Sequence, residues 1–327
     1  MTPARLATAA AVLAGAVLAA AAPALVAPST QRTLGAVFMF ATLAQGWNLI
    51  GGMAGYPSFG QVVFFGLGGY TVAVLMTKAG WAFWPALPVA VVAGAAFAVA
   101  AGVPVLRLKG HYFAIATLGI AEGMREVIIN LPSLTGGGAG ITVPAVGSRA
   151  TTAHLGNDGF YWCFLVLAAL ATAVVAVITR SRFGYALRAI HQDEAGAGAL
   201  GIDTTRVKVG AFAVSGALTA AAGAIYAFQQ VTIYPDRLFS VEITVLAVAM
   251  AVVGGAGTVA GPLVGAGALQ LLSEYLRQRY LGLHLAVFGA VLVAGVVFIP
   301  QGLVSFARAS WADRRLALLD NVRRHRV

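Results

Sequence analysis

The sequence predicts an all-α fold, a polytopic membrane helix bundle of about ten transmembrane helices that forms one domain over residues 1–327, with both termini cytoplasmic. Apolar residues make up 60% of the chain and charged residues only 10%, whereas soluble domains carry about 25% charged residues. Apolar runs close to the length of a membrane-spanning helix recur from end to end. The Lys and Arg residues are shared unequally between the connections on the two sides, which sets the orientation.

The apolar runs define ten candidate spans. The first, residues 6–26, is interpreted as a span because it is longer than the roughly 7–15 apolar residues of a secretory signal, although cleavage as a signal peptide stays open. If the two shortest neighbours do not cross, eight spans remain, so the predicted count is eight to ten. The runs are residues 6–26, 33–50, 58–77, 84–106, 112–131, 160–179, 209–229, 241–255, 259–276 and 283–303.

The basic residues orient these spans. With the N-terminus inside, 14 of the 21 Lys and Arg residues fall in inner segments, six fall in outer segments and Arg125 lies within a span. This excess is the asymmetry that the positive-inside rule describes, and it places the basic tail, residues 304–327, in the cytoplasm. The net charge of +10 is therefore attributed to topology rather than to nucleic-acid binding.

The sequence contains no arrangement typical of catalysis. Cys163 is the only cysteine, which excludes an internal disulfide and a cysteine-based metal site, and the five histidines are scattered. The sequence has no nucleotide-binding Gly-x-x-x-x-Gly-Lys-Ser/Thr loop. We therefore expect neither an enzyme nor a cofactor or metal site. Uphill movement of a solute would need an ion gradient or a partner that hydrolyses ATP.

Two connections are too long to be simple turns. The outer connection, residues 132–159, contains a glycine-rich stretch and the strand-like residues 141–143, and it suits a solvent-facing segment that contacts a partner. The inner connection, residues 180–208, places Phe183, Leu187 and Ile190 on one helical face, which predicts a short amphipathic helix at the membrane surface. A soluble partner could grip this helix, and a solvated loop is the alternative.

Glycine clusters and charges inside the spans each admit two interpretations. Residues 51–60 and 254–267 are rich in glycine, which indicates either close helix packing in lipid or helices interrupted beside a translocation path. The similar starts of these clusters hint at a distant internal repeat. Glu122, Arg125 and Glu126 lie on one face of the fifth span, as a structural ion pair or as part of a solute path.

Several sequence blocks occur in the order found in one transporter family, between about residue 45 and residue 305. With these blocks the chain resembles the branched-chain amino acid ABC transporter permease of the LivM type. The blocks are residues 48–55 (NLIGGMAG), 58–61 (SFGQ), 64–70 (FFGLGGY), 110–119 (GHYFAIATLG), 133–137 (SLTGG), 181–190 (SRFGYALRAI) and 254–262 (GGAGTVAGP).

The resemblance implies a multi-pass permease of the inner cell membrane, the translocation subunit of an ATP-driven importer for branched-chain amino acids, with ATP bound by partner subunits. Its implied partners are a second related permease, two cytoplasmic ATP-binding subunits, a periplasmic or lipid-tethered solute-binding protein and membrane lipid, without nucleic acid. Gln61 stands where the family often has His, and His111 where an acidic residue is common, so urea, short amides or other amino acids remain alternative solutes. An ion-coupled secondary transporter that uses Glu122 or Glu126 also stays open.

The resemblance also implies site residues. Within residues 180–208, Asp193, Glu194, Ala195 and Gly201 with Ile202 are similar to the cytoplasmic coupling segment, which docks on the ATPase and carries its motion into the spans. We expect the coupling residues to be Arg182, Phe183, Arg188, Asp193, Glu194, Ala195 and Gly201. The residues expected to line the path, from spans two, three, five and eight, are Gly52, Gly55, Ser58, Gln61, Thr117, Glu122 and Gly255.

Overall fold

The protein is an α-helical bundle whose long helices run between two opposite ends. A computed structural model describes residues 26–143, 155–279 and 302–308, together with positions 22, 23, 289, 290 and 293. The predicted spans at residues 6–26 and 283–303 lie almost entirely outside these residues. The choice between a signal peptide and a first span, and the basic tail beyond Arg308, lie outside them as well.

The helices begin where the sequence gives a physical reason. Pro28 occupies the first turn of the first helix, where its missing N–H costs nothing, and Ser181, Asp193 and Asp203 cap three later helices with their side-chain oxygens. In chain order the elements are α1 Pro28–Trp47, continued by a π-helix Asn48–Met53, α2 Gln61–Lys78, α3 Phe83–Val105, α4 His111–Ile129, α5 Pro132–Thr135, a 3₁₀ turn Gly137–Ala139, β1 Ile141–Thr142, α6 Asn157–Arg180, α7 Arg182–Gln192, α8 Glu194–Ala199, α9 Thr204–Gln230, β2 Thr232–Ile233, α10 Pro235–Leu238, α11 Val241–Gly255, α12 Gly261–Arg279 and α13 Leu303–Arg308.

Six stretches of the described chain are long and apolar enough to cross a membrane. They are Pro28–Met53, which covers α1 and the π-helix, then α2, α3, α6, α9, and Pro235–Gly255, which covers α10 and α11. Two further predicted spans correspond to the long helices α4, which carries three charged residues, and α12, whose second half is polar. The multi-pass architecture is confirmed, and within the described residues length and composition identify six candidate spans.

One end of the bundle, which we call the Glu194 end, collects four connections. Hydrogen bonds join residues 54–60, residues 106–110 and residues 193–203 with one another or with the start of α9. Side chains near the end of α1 also reach residues 256–260. Because these connections follow alternate helices, successive long helices run in opposite directions.

The opposite end, which we call the Asp236 end, holds the remaining connections of the described chain. Arg125 of α4 contacts Asp236 of α10 at 2.7 Å. The strands β1 and β2 pair antiparallel, with Ile141 opposite Ile233. The strand-like character predicted for residues 141–143 is therefore realised in a two-stranded sheet that ties the outer connection to the end of α9.

Two groups of helices pack in the same way. α9 lies along α2 and α3, which also pack on each other, and α1 lies along α11 and α12, which pack on each other in turn. α1 and α9 contact one another at the centre, where 78% of the most apolar stretch of each is buried, against 28% for α3 and α6. α1 runs toward the Glu194 end and α9 runs away from it, so the two groups are inverted relative to each other.

Glycines allow these helices to approach at backbone distance. A Cβ atom at Gly223 of α9 would overlap the carbonyl oxygen of Phe65 in α2, and one at Gly68 of α2 would overlap the carbonyl oxygen of Ala220 in α9. Lipid tails are as apolar as the helices themselves, so close backbone packing supplies much of the attraction between helices in a membrane. Close packing accounts for these two glycines.

Gly223→Ala tests this contact. The added methyl group cannot be accommodated unless α9 moves away from α2, so we expect the free energy of unfolding in detergent to fall by about 1–3 kcal/mol, with a lower melting temperature. Gly267→Ala in α12 is the matched control, because no atom of the described residues lies within 4 Å of its Cβ position. There the higher helix propensity of alanine predicts an unchanged or higher melting temperature. Equal melting temperatures for the two variants would contradict the contact.

Candidate functional site

Two glycine-rich segments meet at the Glu194 end. Asn48 Nδ2 donates to the Thr258 carbonyl oxygen at 2.8 Å, and Asn48 Oδ1 accepts the Gly257 N–H at 2.7 Å. A Cβ atom at Gly52 would lie only 2.6 Å from the Gly257 nitrogen. The two clusters whose similarity hints at a repeat are therefore in direct contact. They do not occupy equivalent positions in the two inverted groups, because one follows α1 and the other follows α11.

A buried cluster of polar side chains lies where α2 begins. Gln61 Nε2 donates to Ser215 Oγ at 2.9 Å and to Thr219 Oγ1 at 2.5 Å, and all three residues are fully buried. Thr117 Oγ1 accepts the Phe59 N–H at 3.0 Å. These bonds join α2, α4 and α9 beside residues 54–60, the non-helical segment before α2. Non-helical backbone is tolerated there because protein surrounds it.

The interior next to this cluster is closed. The cavity lined by Gly60, Phe97, Thr117 and Phe212 has a volume of about 10 Å³, which is at the lower limit for a single water molecule. A solute of amino-acid size cannot pass through it. Within the described residues, the arrangement therefore offers no passage for a solute at the start of α2.

The structure brings some predicted path residues together and separates others. Ser58, Gln61 and Thr117 are buried around the start of α2. Gly52 and Gly255 lie in the two glycine segments that meet at the Glu194 end, and Gly255 has a φ of 124°. Gly55 is exposed and has a φ of 77°, and its Cβ position would lie 3.0 Å from the ring of His191 in α7.

Glu122 lies apart from these residues, on an exposed face of α4. Its carboxylate contacts Arg125 at 3.0 Å, and Arg125 also contacts Glu126 and Asp236, each at 2.7 Å. The three charges predicted on one face of the fifth span thus belong to an ion-pair network near the Asp236 end. This network joins α4 to α10, as expected for a structural role of the charges.

The inner connection folds into two short helices. The predicted amphipathic helix is α7, in which Leu187 and Ile190 are buried and Phe183 is half-buried. Asp193 ends α7 and caps α8, because its Oδ1 accepts the Ala195 N–H at 3.0 Å. The helical face is thus packed against the bundle rather than solvated on all sides, and the opposite face is presented outward.

Most of the predicted coupling residues are exposed on this surface. Arg188 is held in place, since it donates to the Thr179 carbonyl oxygen at 2.8 Å and lies over the Tyr185 ring. Leu200, which sequence analysis does not single out, is 83% exposed between α8 and α9. Of the predicted residues, Arg182, Arg188, Asp193, Ala195 and Gly201 are exposed, whereas Phe183 and Glu194 are partly buried.

Glu194 is partly buried and forms an ion pair with Lys208 of the same chain. Lys208 Nζ lies 2.5 Å from Glu194 Oε1 and also donates to the Leu106 carbonyl oxygen at 2.9 Å and to Tyr56 Oη at 3.0 Å. The Tyr56 hydroxyl donates to Glu194 Oε2 at 2.5 Å, and Lys109 contacts the same oxygen at 3.2 Å. We call these five residues the Glu194 cluster: Tyr56, Leu106, Lys109, Glu194 and Lys208. The cluster joins α8, α9, the end of α3 and residues 54–60 before α2.

The cluster shifts the pKa values of Glu194 and Tyr56, both of which lie outside the candidate membrane spans. Burial by itself raises the pKa of Glu194, but the hydrogen bonds from Lys208, Tyr56 and Lys109 outweigh burial and lower the pKa to about 2. Burial, followed by the hydrogen bond to the Glu194 carboxylate, raises the pKa of the Tyr56 hydroxyl well above its usual range. Glu194 is therefore ionised and Tyr56 protonated at neutral pH.

Tyr56, Lys109 and Lys208 are site residues that the sequence pattern does not identify. In the sequence, Lys208 and Lys109 stand out only as inner basic residues, and Tyr56 only as part of a glycine-rich block. One signal is present in the sequence, because a lysine at the edge of an apolar run requires a partner when it is buried, and Lys208 is only 3% exposed. Nothing local to the sequence identifies Glu194, fourteen residues earlier, as that partner.

These features define a multi-pass α-helical membrane protein whose buried polar groups fix helices to one another. In the part of the chain that the structure describes, no group of His, Cys, Asp and Glu residues could hold a metal ion. The chain belongs to the family described as "Branched-chain amino acid transport system / permease component", which matches residues 29–296. The predicted family is thereby confirmed, and the chain is a membrane permease, a transport protein rather than a member of an enzyme class.

Individual relatives agree with this family. The high-affinity branched-chain amino acid transport system permease protein LivM of Salmonella typhimurium and that of Escherichia coli are each 30% identical over 293 residues, covering 83% of this chain and 68% of the relative. The corresponding protein LivH of Escherichia coli is 28% identical over 295 residues, covering 83% of this chain and 92% of the relative. No solved structure matches the chain.

A double-mutant cycle tests the Glu194 cluster. Glu194→Gln leaves the buried Lys208 ammonium without its counter-ion, so we expect the free energy of unfolding to fall by about 3–5 kcal/mol. Adding Lys208→Met removes the uncompensated charge and should restore part of that loss. Arg206→Met is the control, because Arg206 pairs with Asp203 at an exposed site and should cost less than about 1 kcal/mol. Additive effects of the Glu194 and Lys208 substitutions would contradict the buried pair.

The same cluster predicts a pH dependence. The folded pKa of Glu194, about 2, lies below the ordinary value of about 4.3, so its stabilising contribution is complete above the ordinary value and is lost as the pH falls toward 2. Thermal unfolding in detergent, measured between pH 5 and pH 2, should therefore show wild type and Glu194→Gln converging as the pH falls. Other carboxylates titrate equally in both proteins. A difference that stays constant over this range would refute the shift.

Proposed function

We propose that this chain is the permease subunit of an ATP-binding cassette importer that moves branched-chain amino acids into the cell. The names of its relatives LivM and LivH, which belong to branched-chain amino acid transport, support the solute class. The chain would be one of two related permeases, with ATP hydrolysed by two cytoplasmic subunits and solute delivered by a periplasmic or lipid-tethered binding protein. Its location would be the inner membrane.

The observation that carries the coupling role is the exposed apolar side chain of Leu200 on a segment anchored to the bundle. Leu200 is 83% exposed, and Tyr185 on α7 is 64% exposed. Gly198, Ala199 and Gly201 beside Leu200 are exposed as well, and a contiguous exposed apolar surface is typical of a contact with a partner protein. The Glu194 cluster fixes the same segment, residues 180–208, to α9, so force applied around Leu200 would reach the centre of the bundle.

The contacts at the two ends support ten spans with both termini in the cytoplasm. α12 runs from the Glu194 end over about 28 Å, at 1.5 Å per residue, toward the opposite end. Gly302 lies against Gly255, back at the Glu194 end. Residues 280–301 would therefore cross the membrane, and residues 304–327 would follow in the cytoplasm. By the same reasoning, residues 6–26 would lead from the cytoplasm to the start of α1.

A solute path between two permease subunits agrees with the small volume, about 10 Å³, beside the start of α2. The face of α4 that includes Ile115 and Glu122 is exposed, and Cβ positions at Gly119 and Gly123 on that helix meet no atom within 4 Å in the part of the chain that the structure describes. A second permease packed near this face would enclose a passage between the subunits. Glu122 would then face that passage or its rim, while Ser58, Gln61 and Thr117 would support the wall from behind.

Reconstitution separates this function from its alternatives. The chain, purified with its related permease, ATPase subunits and binding protein, should take up labelled leucine into liposomes only with ATP. Competition by urea, acetamide and other amino acids identifies the solute. Uptake by the chain alone, driven by a proton or sodium gradient without any ATPase, would instead establish an ion-coupled transporter and refute the proposal.

Leu200→Asp tests the coupling surface. A charge in an apolar contact prevents docking, so we expect ATP-driven uptake to fall at least tenfold, which corresponds to about 1.4 kcal/mol. The melting temperature of the permease should not change, because Leu200 contributes little to the core at 83% exposure. Leu200→Met keeps the apolar contact and serves as the matched control with near wild-type uptake. Normal uptake by Leu200→Asp would place the ATPase contact elsewhere.

A further inference from the structure

A cavity lies at the Asp236 end of the bundle, where α1, α6 and α9 come together. Its volume is about 350 Å³, which is within the range of binding sites for small molecules. All three helices contribute lining residues, and two of them, α1 and α9, are the central helices of the bundle. The cavity is therefore at the end of the centre of the bundle and not on its outer side.

The rim of the cavity is polar and consists of residues at helix ends. Arg32 lies near the start of α1, and Asn157 is the first residue of α6. Gln229 and Gln230 are the last two residues of α9. Because Arg32 and Gln230 are exposed, the cavity opens at the end of the bundle. A ligand would enter it from the aqueous phase, on the side that the proposed topology places outside the cell.

The interior of the cavity is apolar. Met39, Phe160 and Phe164 line it and are buried. From Arg32 to Met39, and from Asn157 to Phe164, a helix advances about 10 Å at 1.5 Å per residue. The cavity therefore combines a charged rim with an apolar interior at a depth that suits one small molecule.

The rim has the chemistry that binds a carboxylate. Arg32 Nε donates to Asn157 Oδ1 at 3.4 Å, a long hydrogen bond between α1 and α6. The guanidinium group has two further nitrogens, Nη1 and Nη2, which can donate side by side to the two oxygens of a carboxylate. The side-chain amides of Gln229 and Gln230 can donate to a carboxylate or accept from an ammonium group.

We propose that this cavity is a binding site for a small carboxylate with an apolar side chain, the chemical class that includes the apolar α-amino acids. The carboxylate would contact Arg32, an amino group would contact the amide oxygens of the rim, and the side chain would enter the apolar interior. None of the lining residues belongs to α4 or to residues 180–208. The site is thus additional to the path and to the coupling surface, and binding to it requires neither an ATPase nor a second permease.

Equilibrium binding of labelled leucine to the purified full chain tests the ligand class. In nanodiscs of phosphatidylcholine we expect saturable binding. Isocaproate should displace the leucine, because it keeps both the carboxylate and the branched apolar chain. Leucinamide, which lacks the carboxylate, and glycine, which lacks the apolar side chain, should each compete at least tenfold more weakly.

Two substitutions test the two parts of the cavity. Arg32→Gln removes the cation from the rim and should raise the Kd for leucine at least tenfold, with an unchanged melting temperature because Arg32 is exposed. Ala36→Leu keeps the charge but fills part of the cavity one turn below Arg32, and it should weaken binding to a similar extent. Arg237→Gln is the matched control with wild-type binding, because Arg237 is an exposed arginine at the same end that does not line the cavity.

Four results would overturn the proposal. They are the absence of saturable leucine binding, competition by leucinamide equal to that by isocaproate, wild-type affinity in Arg32→Gln, and loss of leucine binding when phosphatidylglycerol is added to the nanodiscs. The last result would mean that the rim binds a lipid headgroup. ATP-driven uptake by the reconstituted importer is a separate measurement, so a failure of this site and a failure of the proposed function are distinguishable.

Discussion

The buried ammonium group of Lys208 is the constraint on which the arrangement of the Glu194 end depends. A charge that is 3% exposed needs a counter-ion and further hydrogen bonds, because the cost of removing it from water otherwise exceeds several kcal/mol. Glu194, Tyr56 and the Leu106 carbonyl satisfy it together. These partners come from three separate stretches of chain. The inner connection therefore cannot shift relative to α9 without moving residues 54–60 or breaking the ion pair.

The centre of the bundle is held by a different balance of forces. Apolar burial does not draw helices together in lipid, so the contact between α2 and α9 relies on backbone approach at Gly68 and Gly223 and on hydrogen bonds from Gln61 to Ser215 and Thr219. These hydrogen bonds are satisfied within the chain, so together with the two glycines they hold α2 and α9 in contact.

The helices that the structure describes could be predicted from the sequence, since apolar runs and the amphipathic spacing of Phe183, Leu187 and Ile190 are local properties. The Glu194 cluster could not, because Tyr56 lies 138 residues before Glu194 and no local pattern specifies their contact. The contact between the two glycine clusters could not be predicted for the same reason, because their similarity does not specify which segment each one approaches. Gly52 and Gly257 resemble each other because each needs close backbone approach, and the approach is to one another.

The inverted packing explains why irregular backbone occurs at both ends. α1 ends at the Glu194 end in a π-helix and a break, and its counterpart α9 ends at the Asp236 end at Val231, whose φ of 62° is unfavourable for a β-branched residue. The Val143 N–H donates to the Val231 carbonyl oxygen at 2.6 Å, which helps to hold this conformation. Each central helix therefore leads into an irregular connection fixed by a neighbouring segment, the Glu194 cluster at one end and the β1–β2 pair at the other. Irregular backbone at both ends of the bundle is thus consistent with one packing pattern that occurs twice in inverted orientation.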